Sequence, residues 1–453
     1  MESADKKKEG EPKPANKPVV SWRTVHPVTA AIDKLVDRLR DTRFTARVFL
    51  PLVAKNRREE MKRTAETLRR SATTLESSDS DAASVANAVR EANQAMRFTR
   101  RVMQSHPAEL MARGLFLSIF SSFDAFMGEL LTALYSLRPE LYKSLGGSVE
   151  LKEVLDAPNI DALKASILQK EIETLRRGSY TEQFDALEGR FGLPMRQWPN
   201  WKHFVEASQR RNLITHCDGL VSQQYLQQCM AAGFTRGELP DLNSEIKLPA
   251  TYFMNACELL IEAGSKLAHT LWRKLIPDEL ATSDRHLNEL AYESLCAEQW
   301  HRARMLCEFA LNQKKHGSEH GRLSLVVNYA QAIKWSGLET DMRRVLDQED
   351  WTAVAPAFAL AHAVLTERYS DAANVMRYLG ERSAFPESNY LEWPLFRAFR
   401  ETAEFEAAYL EIFGHSFAKQ AQQNAGVAVA EAAREDPQGA PALPTAAASF
   451  GVE

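Results

Sequence analysis

Arg211, Asn212 and His216 fall within six residues of one another, in the run Ser208-Gln209-Arg210-Arg211-Asn212-Leu213-Ile214-Thr215-His216-Cys217-Asp218-Gly219. Apolar residues at helical spacing flank them, and a glycine of the kind that ends helices closes the run. Together the three side chains suit a phosphate. A guanidinium is a permanently charged planar fork that matches two phosphate oxygens, and imidazole is the side chain most readily poised to move a proton near neutral pH. On an ideal helix Asn212 and His216 are separated by roughly 40° and share a face, whereas Arg211 and His216 lie roughly 140° apart. A straight helix therefore does not aim Arg211 and His216 at one small substrate atom. A distorted helix end would, and so would a groove lined by two copies of the helix. Cys217 does not complete a hydrolase with His216, because adjacent helical residues point about 100° apart and miss the needed hydrogen bond.

These residues resemble a family. Arg211-Asn212-x-x-x-His216 is similar to the Arg-x4-6-His signature of HEPN domains, helical bundles of which many are metal-independent RNA endonucleases in toxin–antitoxin, CRISPR and phage-defence systems. The polar residue after the arginine and the continuation Gly219-Leu220-Val221 with Tyr225 also match that pattern. The resemblance covers residues 107–275 and implies a homodimer that meets along this helix, so that two arginines and two histidines share one RNA site. It implies cleavage by internal attack of the ribose 2′-hydroxyl, leaving a 2′,3′-cyclic phosphate and a 5′-hydroxyl. His216 would be the general base or acid, Arg211 would stabilise charge growing on the phosphate, and Asn212 would orient either partner.

Several elements must position that site. After Pro107 the run from Leu110 to Leu131 is apolar on nearly every side, as in a helix buried at the centre of a bundle. It carries Asp124 and Glu129, and the resemblance implies that one of them orients Arg211 or His216; the bland alternative leaves both at helix edges. Shorter, more polar helices follow between Gly146 and Pro199. The motif helix starts near Asn200 with Trp201, Phe204 and Val205 as its buried residues, and Glu206 is spaced to pair with Arg210. Within the arginine doublet, one reading makes Arg210 a structural partner and Arg211 the phosphate ligand, and the adjacency of the two leaves the reverse assignment open. Tyr252 to Leu275, with Phe253, Ala256, Leu259, Leu260, Ala263 and Leu267 on one face, closes the bundle.

The remainder of the chain bounds the function. Its 453 residues carry 56 Lys and Arg against 60 Asp and Glu, a net charge of −4, so any RNA contact is local rather than a global basic field. The five cysteines, at 217, 229, 257, 296 and 307, form no CxxC pair or zinc-like cluster, and no metal or cofactor is expected. Met1 to Val20 lacks a signal-peptide core, and no apolar run of bilayer length is evident, which predicts a cytoplasmic protein without a membrane partner. Residues 1–21 and 419–453 read as disordered tails, 22–105 as an N-terminal helical region and 106–276 as the HEPN-like bundle. That N-terminal region is read as a helix near Val28–Leu39 and a second, basic one from Val48 to Leu75; its Lys and Arg form a stripe that could track an RNA backbone, but the interspersed Glu59, Glu60 and Glu66 favour a solvated face. Residues 284–418 read as a short α-solenoid of tetratricopeptide-like repeats, whose concave surface would receive a protein partner. The expected whole is all-α: a HEPN-type ribonuclease in bacterial phage defence, abortive infection or a toxin–antitoxin system. The alternative is a bundle serving as a non-catalytic dimerisation or nucleotide-sensing module on a repeat scaffold.

Overall fold

A computed structural model describes residues 25–420, apart from 78–80, 146–147, 193, 195–196 and 382–384. The expected tails, 1–21 and most of 419–453, lie outside the described residues. What is described is helical, and its only bridge of strand type joins Leu220 to Glu245.

The first helix, α1, runs unbroken from Pro27 to Glu76. Two helices were expected here, but no glycine separates Leu39 from Val48, and the internal Pro51 does not end the helix. Its first half turns Val28, Ile32, Leu35 and Leu39 into the core of the bundle. Its second half leaves the bundle and pairs with α2 (Ala82–Gln104) as a two-helix arm. Residues 28–46 thus belong to the bundle, and the N-terminal region is not a separate unit.

Helix α3 (Pro107–Leu137) is the centre of the bundle, with Phe116, Phe120, Phe123 and Phe126 fully enclosed. The helical stretch Ala82–Leu137 contains an 18-residue window of mean hydropathy 1.4, long and apolar enough to cross a bilayer, contrary to the sequence reading. Half of that window is buried inside the protein, where the α3 phenylalanines form its core. After α4 (Leu151–Asp156) come α5 (Ile160–Arg177), α6 (Tyr180–Phe191) and α7 (Trp201–His216). Tyr180 and Phe204 each pack against Phe123 with ring centroids 5.7 and 5.6 Å apart, tying α6 and α7 to α3. Pairs of this kind contribute about 0.5–1.5 kcal/mol each beyond their area. Trp201, Phe204 and Val205 are buried as expected. Helix α8 (Gln223–Ala231) follows, and α9 (Ala250–Leu275) closes the core with Phe253, Leu260 and Leu267.

Three helical hairpins come next: α10 (Leu280–Cys296) with α11 (Trp300–Leu311), α12 (Glu319–Trp335) with α13 (Glu339–Leu346), and α14 (Pro356–Leu365) with α15 (Tyr369–Glu381). One turn recurs in all three. Glu298, Gly337 and Glu367 each adopt a left-handed φ, of 55°, 77° and 60°. The next amide donates five residues back, Gln299 to Ser294, Leu338 to Ile333 and Arg368 to Ala363. That satisfies otherwise orphaned carbonyls at the end of each first helix. The first helices begin at 280, 319 and 356, steps of 39 and 37 residues rather than the 34 of a tetratricopeptide. The aromatic end is formed by α16 (Glu387–Glu392), two short 3-10 turns and α17 (Ala403–Phe413).

Candidate functional site

Helix α7 carries the motif on its exposed C-terminal half. Its N-terminal half is fixed from below: Asn200 and Trp198 both donate to the Glu262 carboxylate of α9, at 2.9 and 2.8 Å. Its far end is fixed from the side. Asp218 and Gly219 take left-handed φ values of 48° and 80°, and the Gly219 amide donates back to the Leu213 carbonyl at 3.0 Å. Arg113 of α3 then clasps the turn, bonding Asp218 at 2.9 Å and Glu245 at 2.7 Å. His216, the last helical residue, is therefore held exposed between two anchored ends.

The arginine doublet divides as its spacing implies. Arg210 is drawn into the protein: it bonds Glu206 at 2.9 Å and the Lys247 carbonyl at 2.6 Å, and its guanidinium lies 3.8 Å over the Tyr252 ring. Glu206 in turn accepts from Tyr225 at 2.6 Å and Tyr252 at 2.5 Å. Burial opposes the Arg210 charge, but the surrounding Tyr252, Glu206 and Tyr225 outweigh it and raise its pKa. Burial and the Glu206 charge likewise push the two phenols up. Every charge in this set is committed, so Arg210 and Glu206 build α7 rather than meet a substrate.

Arg211 does the opposite. Its Nη1 donates to Asn212 Oδ1 at 3.1 Å, which swings the guanidinium around the helix toward the face shared by Asn212 and His216. The long arginine side chain closes the angular gap that the backbone leaves. Neither a distorted helix end nor a second copy is required to bring the three residues together: Arg211, Asn212 and His216 line one open cleft of about 310 Å³. With Oδ1 occupied, the Asn212 amide keeps two N–H donors.

The rest of the cleft comes from the turn between α5 and α6 and from the start of α8, where Ser222, Gln224 and Tyr225 line it. Arg176 and Arg177, in the last turn of α5, and Ser179, the N-cap of α6, line it opposite α7. Among the described residues no carboxylate lines it, while three arginines and a histidine do. Arg177 has no ion pair among the described residues. Sequence reasoning passed over this pair as part of a polar insertion; its signal is the Arg-Arg-Gly-Ser run that closes one helix and caps the next.

Asp124 lies behind the arginines. It accepts from the Tyr180 phenol at 2.6 Å. Burial raises its pKa, and the Tyr180 bond and the charges of Arg211 and Arg176 pull the other way. It is thus the carboxylate that sits in the field of Arg211. Glu129 is not. It faces α1, paired with Lys34 at 2.6 Å, on a different side of α3 from the motif.

No family model, curated protein or solved structure matches the chain. The site must therefore be judged on its chemistry, and one rival cavity bears comparison. A space of about 400 Å³ on another side of α7 is lined by Glu206, Glu258, Glu262, His203 and His301. Its carboxylates are already used, Glu258 by Arg43 and Arg302, Glu262 by Trp198, Asn200 and Lys266, and Glu206 by the set described above. No group of three or more His, Cys, Asp and Glu among the described residues could hold a metal ion.

Proposed function

We propose that the chain is a metal-independent RNA endonuclease of HEPN type, cleaving at the cleft formed by α7, the turn between α5 and α6, and the start of α8. The observation that supports the reading is the composition of that cleft: Arg211, Asn212 and His216 share it with Arg176 and Arg177, and no carboxylate among the described residues lines it. A phosphodiester fits this set. Arg211 meets the non-bridging oxygens and stabilises the charge that builds on them. His216 takes the proton from the 2′-hydroxyl or returns one to the leaving 5′-oxygen, and Asn212 donates to the phosphate. Asp124 acts through Arg211, as a counter-charge that limits where the guanidinium points.

Two copies pairing along α7 would set two such clefts side by side, and the hairpin repeats from α10 onward would present a surface to a protein partner. The setting that goes with this chemistry is bacterial phage defence, abortive infection or a toxin–antitoxin pair. A strand of RNA with a single 2′-deoxynucleotide tests the chemistry itself. Cleavage should stop at the bond following that sugar and continue at its neighbours; cleavage that proceeds there unchanged removes 2′-hydroxyl attack and this reading with it.

A further inference from the structure

The arm built from the second half of α1 and from α2 has a seam of small residues. On α1, Arg57, Thr64 and Ser71 recur every seven residues, and on α2, Ala88, Ala95 and Val102 do the same; all but the half-buried Arg57 are buried. Arg57 Nη2 donates to the Val102 carbonyl at 3.1 Å, which sets the antiparallel register. Thr64 then stands opposite Ala95, and Ser71 opposite Ala88.

Beside this seam lies a second apolar row that nothing among the described residues covers. Val89, Met96 and Met103 follow Ala88, Ala95 and Val102 by one position each and are 44%, 53% and 62% exposed. Across the seam, on the same side, the exposed Ala65 and Ala72 hold the matching positions of α1. In an antiparallel pair, positions that follow the seam residue by one share one flank of the hairpin. Cations border the row: Arg58, Lys62 and Arg69 on α1 and Arg100 on α2 are exposed and carry no ion pair among the described residues. Residues 47–104 hold twelve Lys and Arg against seven Asp and Glu, a net of +5, which leaves −9 for the rest of a chain whose total is −4.

We propose that this flank of the arm receives a third helix, supplied by a partner protein: an amphipathic helix whose apolar seam is bordered by Asp and Glu. The seven-residue repeat, about 10.5 Å along the helix, matches the spacing of apolar side chains on such a helix. The bordering cations select its charge. A second copy of this chain would bring Lys62 and Arg69 against cations of the same kind, so self-pairing is opposed. The row offers aliphatic side chains where single-stranded RNA needs stacking rings, and lacks the Trp, Phe and Leu that hold a helix in a bilayer surface. The inference does not depend on cleavage by the α7 cleft.

The test uses the full chain and a labelled synthetic peptide about four heptads long, with Leu at its seam and Glu flanking it, together with a Lys-flanked counterpart. Flanking like charges keep each peptide from pairing with itself. Fluorescence anisotropy should show the Glu peptide binding, and the paired change Met96→Glu with Met103→Glu should weaken it at least about tenfold. Because both methionines are exposed, circular dichroism should report unchanged helix content. Lys62→Glu with Arg69→Glu should move the preference to the Lys peptide. Failure of the Glu peptide to bind, equal binding of both peptides, or binding indifferent to both variants overturns the proposal. So does single-stranded RNA or an anionic vesicle that displaces the Glu peptide from wild type and loses affinity with the methionine pair.

Discussion

Neighbouring arginines with opposite fates give the sharpest predictions at the scale of the residue. Arg210 neutralises the buried Glu206, so Arg210→Ala leaves that carboxylate uncompensated and should cost about 3–5 kcal/mol in chemical denaturation. Arg211 is half-buried with its guanidinium turned to the cleft, so Arg211→Ala should leave the denaturation midpoint nearly unchanged and reduce RNA cleavage about 10²–10³-fold in initial-rate assays. The reverse pattern would exchange their roles. Cys217 lines the same cleft as an exposed thiol. Alkylation with a maleimide should therefore inactivate wild type and spare Cys217→Ser, whose rate before treatment should be within a few-fold of wild type. Much of this site was legible in the sequence, because a four-residue step pairs Glu206 with Arg210 and so releases Arg211. The placement of Arg176 and Arg177 was not, since their approach to α7 depends on how α5 and α6 fold back over α3, a long-range fact with no local signature.

At the scale of the element, the end of α7 is the sensitive point. Gly219 sits at φ +80°, and a Cβ there would come within 3.3 Å of the Arg113 guanidinium that clasps the turn. Gly219→Ala should cost about 1–2 kcal/mol from the backbone alone. Because the same turn holds His216, it should also slow cleavage, by more than a matched destabilisation placed in the repeats; denaturant midpoints and single-turnover rates measured together separate the two effects. The sequence showed where α7 begins and ends through Asn200 and Gly219. It hid the continuity of α1, since the apolar spacing lapses between Leu39 and Val48, where charged and polar residues carry the helix through. The seam of the arm was hidden for a related reason: Ala, Thr and Ser at seven-residue spacing lack the apolar contrast by which a heptad is noticed.

The molecule as a whole is held together where α9 meets α10. His269 is fully buried there, with Ser283 at 2.9 Å and His286 at 3.1 Å from its ring nitrogens, and His286 reaches Asp33 of α1 at 2.9 Å. One hydrogen-bonded line thus ties the start of the bundle to the first repeat helix. Burial, then the neighbouring His286 and Arg273, hold the His269 pKa well below its ordinary 6.5. The unfolded chain binds a proton at this residue that the folded one refuses, so its stabilising contribution is complete above about pH 6.5 and is lost as pH falls below it. Stability should drop by about 1.4 kcal/mol for each pH unit below that point from this residue, and His269→Gln should flatten the slope in urea titrations between about pH 6.5 and 5. That junction could not be read from the sequence, because it joins residues more than 200 positions apart, Asp33 to His286. The claim on which function rests is the reaction at the α7 cleft. Wild type, His216→Ala and Arg211→Ala should each be incubated with RNA in excess chelator, and the ends of the fragments determined. We expect 2′,3′-cyclic phosphate and 5′-hydroxyl ends from wild type and intact RNA from both variants; 3′-hydroxyl ends, or equal cleavage by all three proteins, would contradict it.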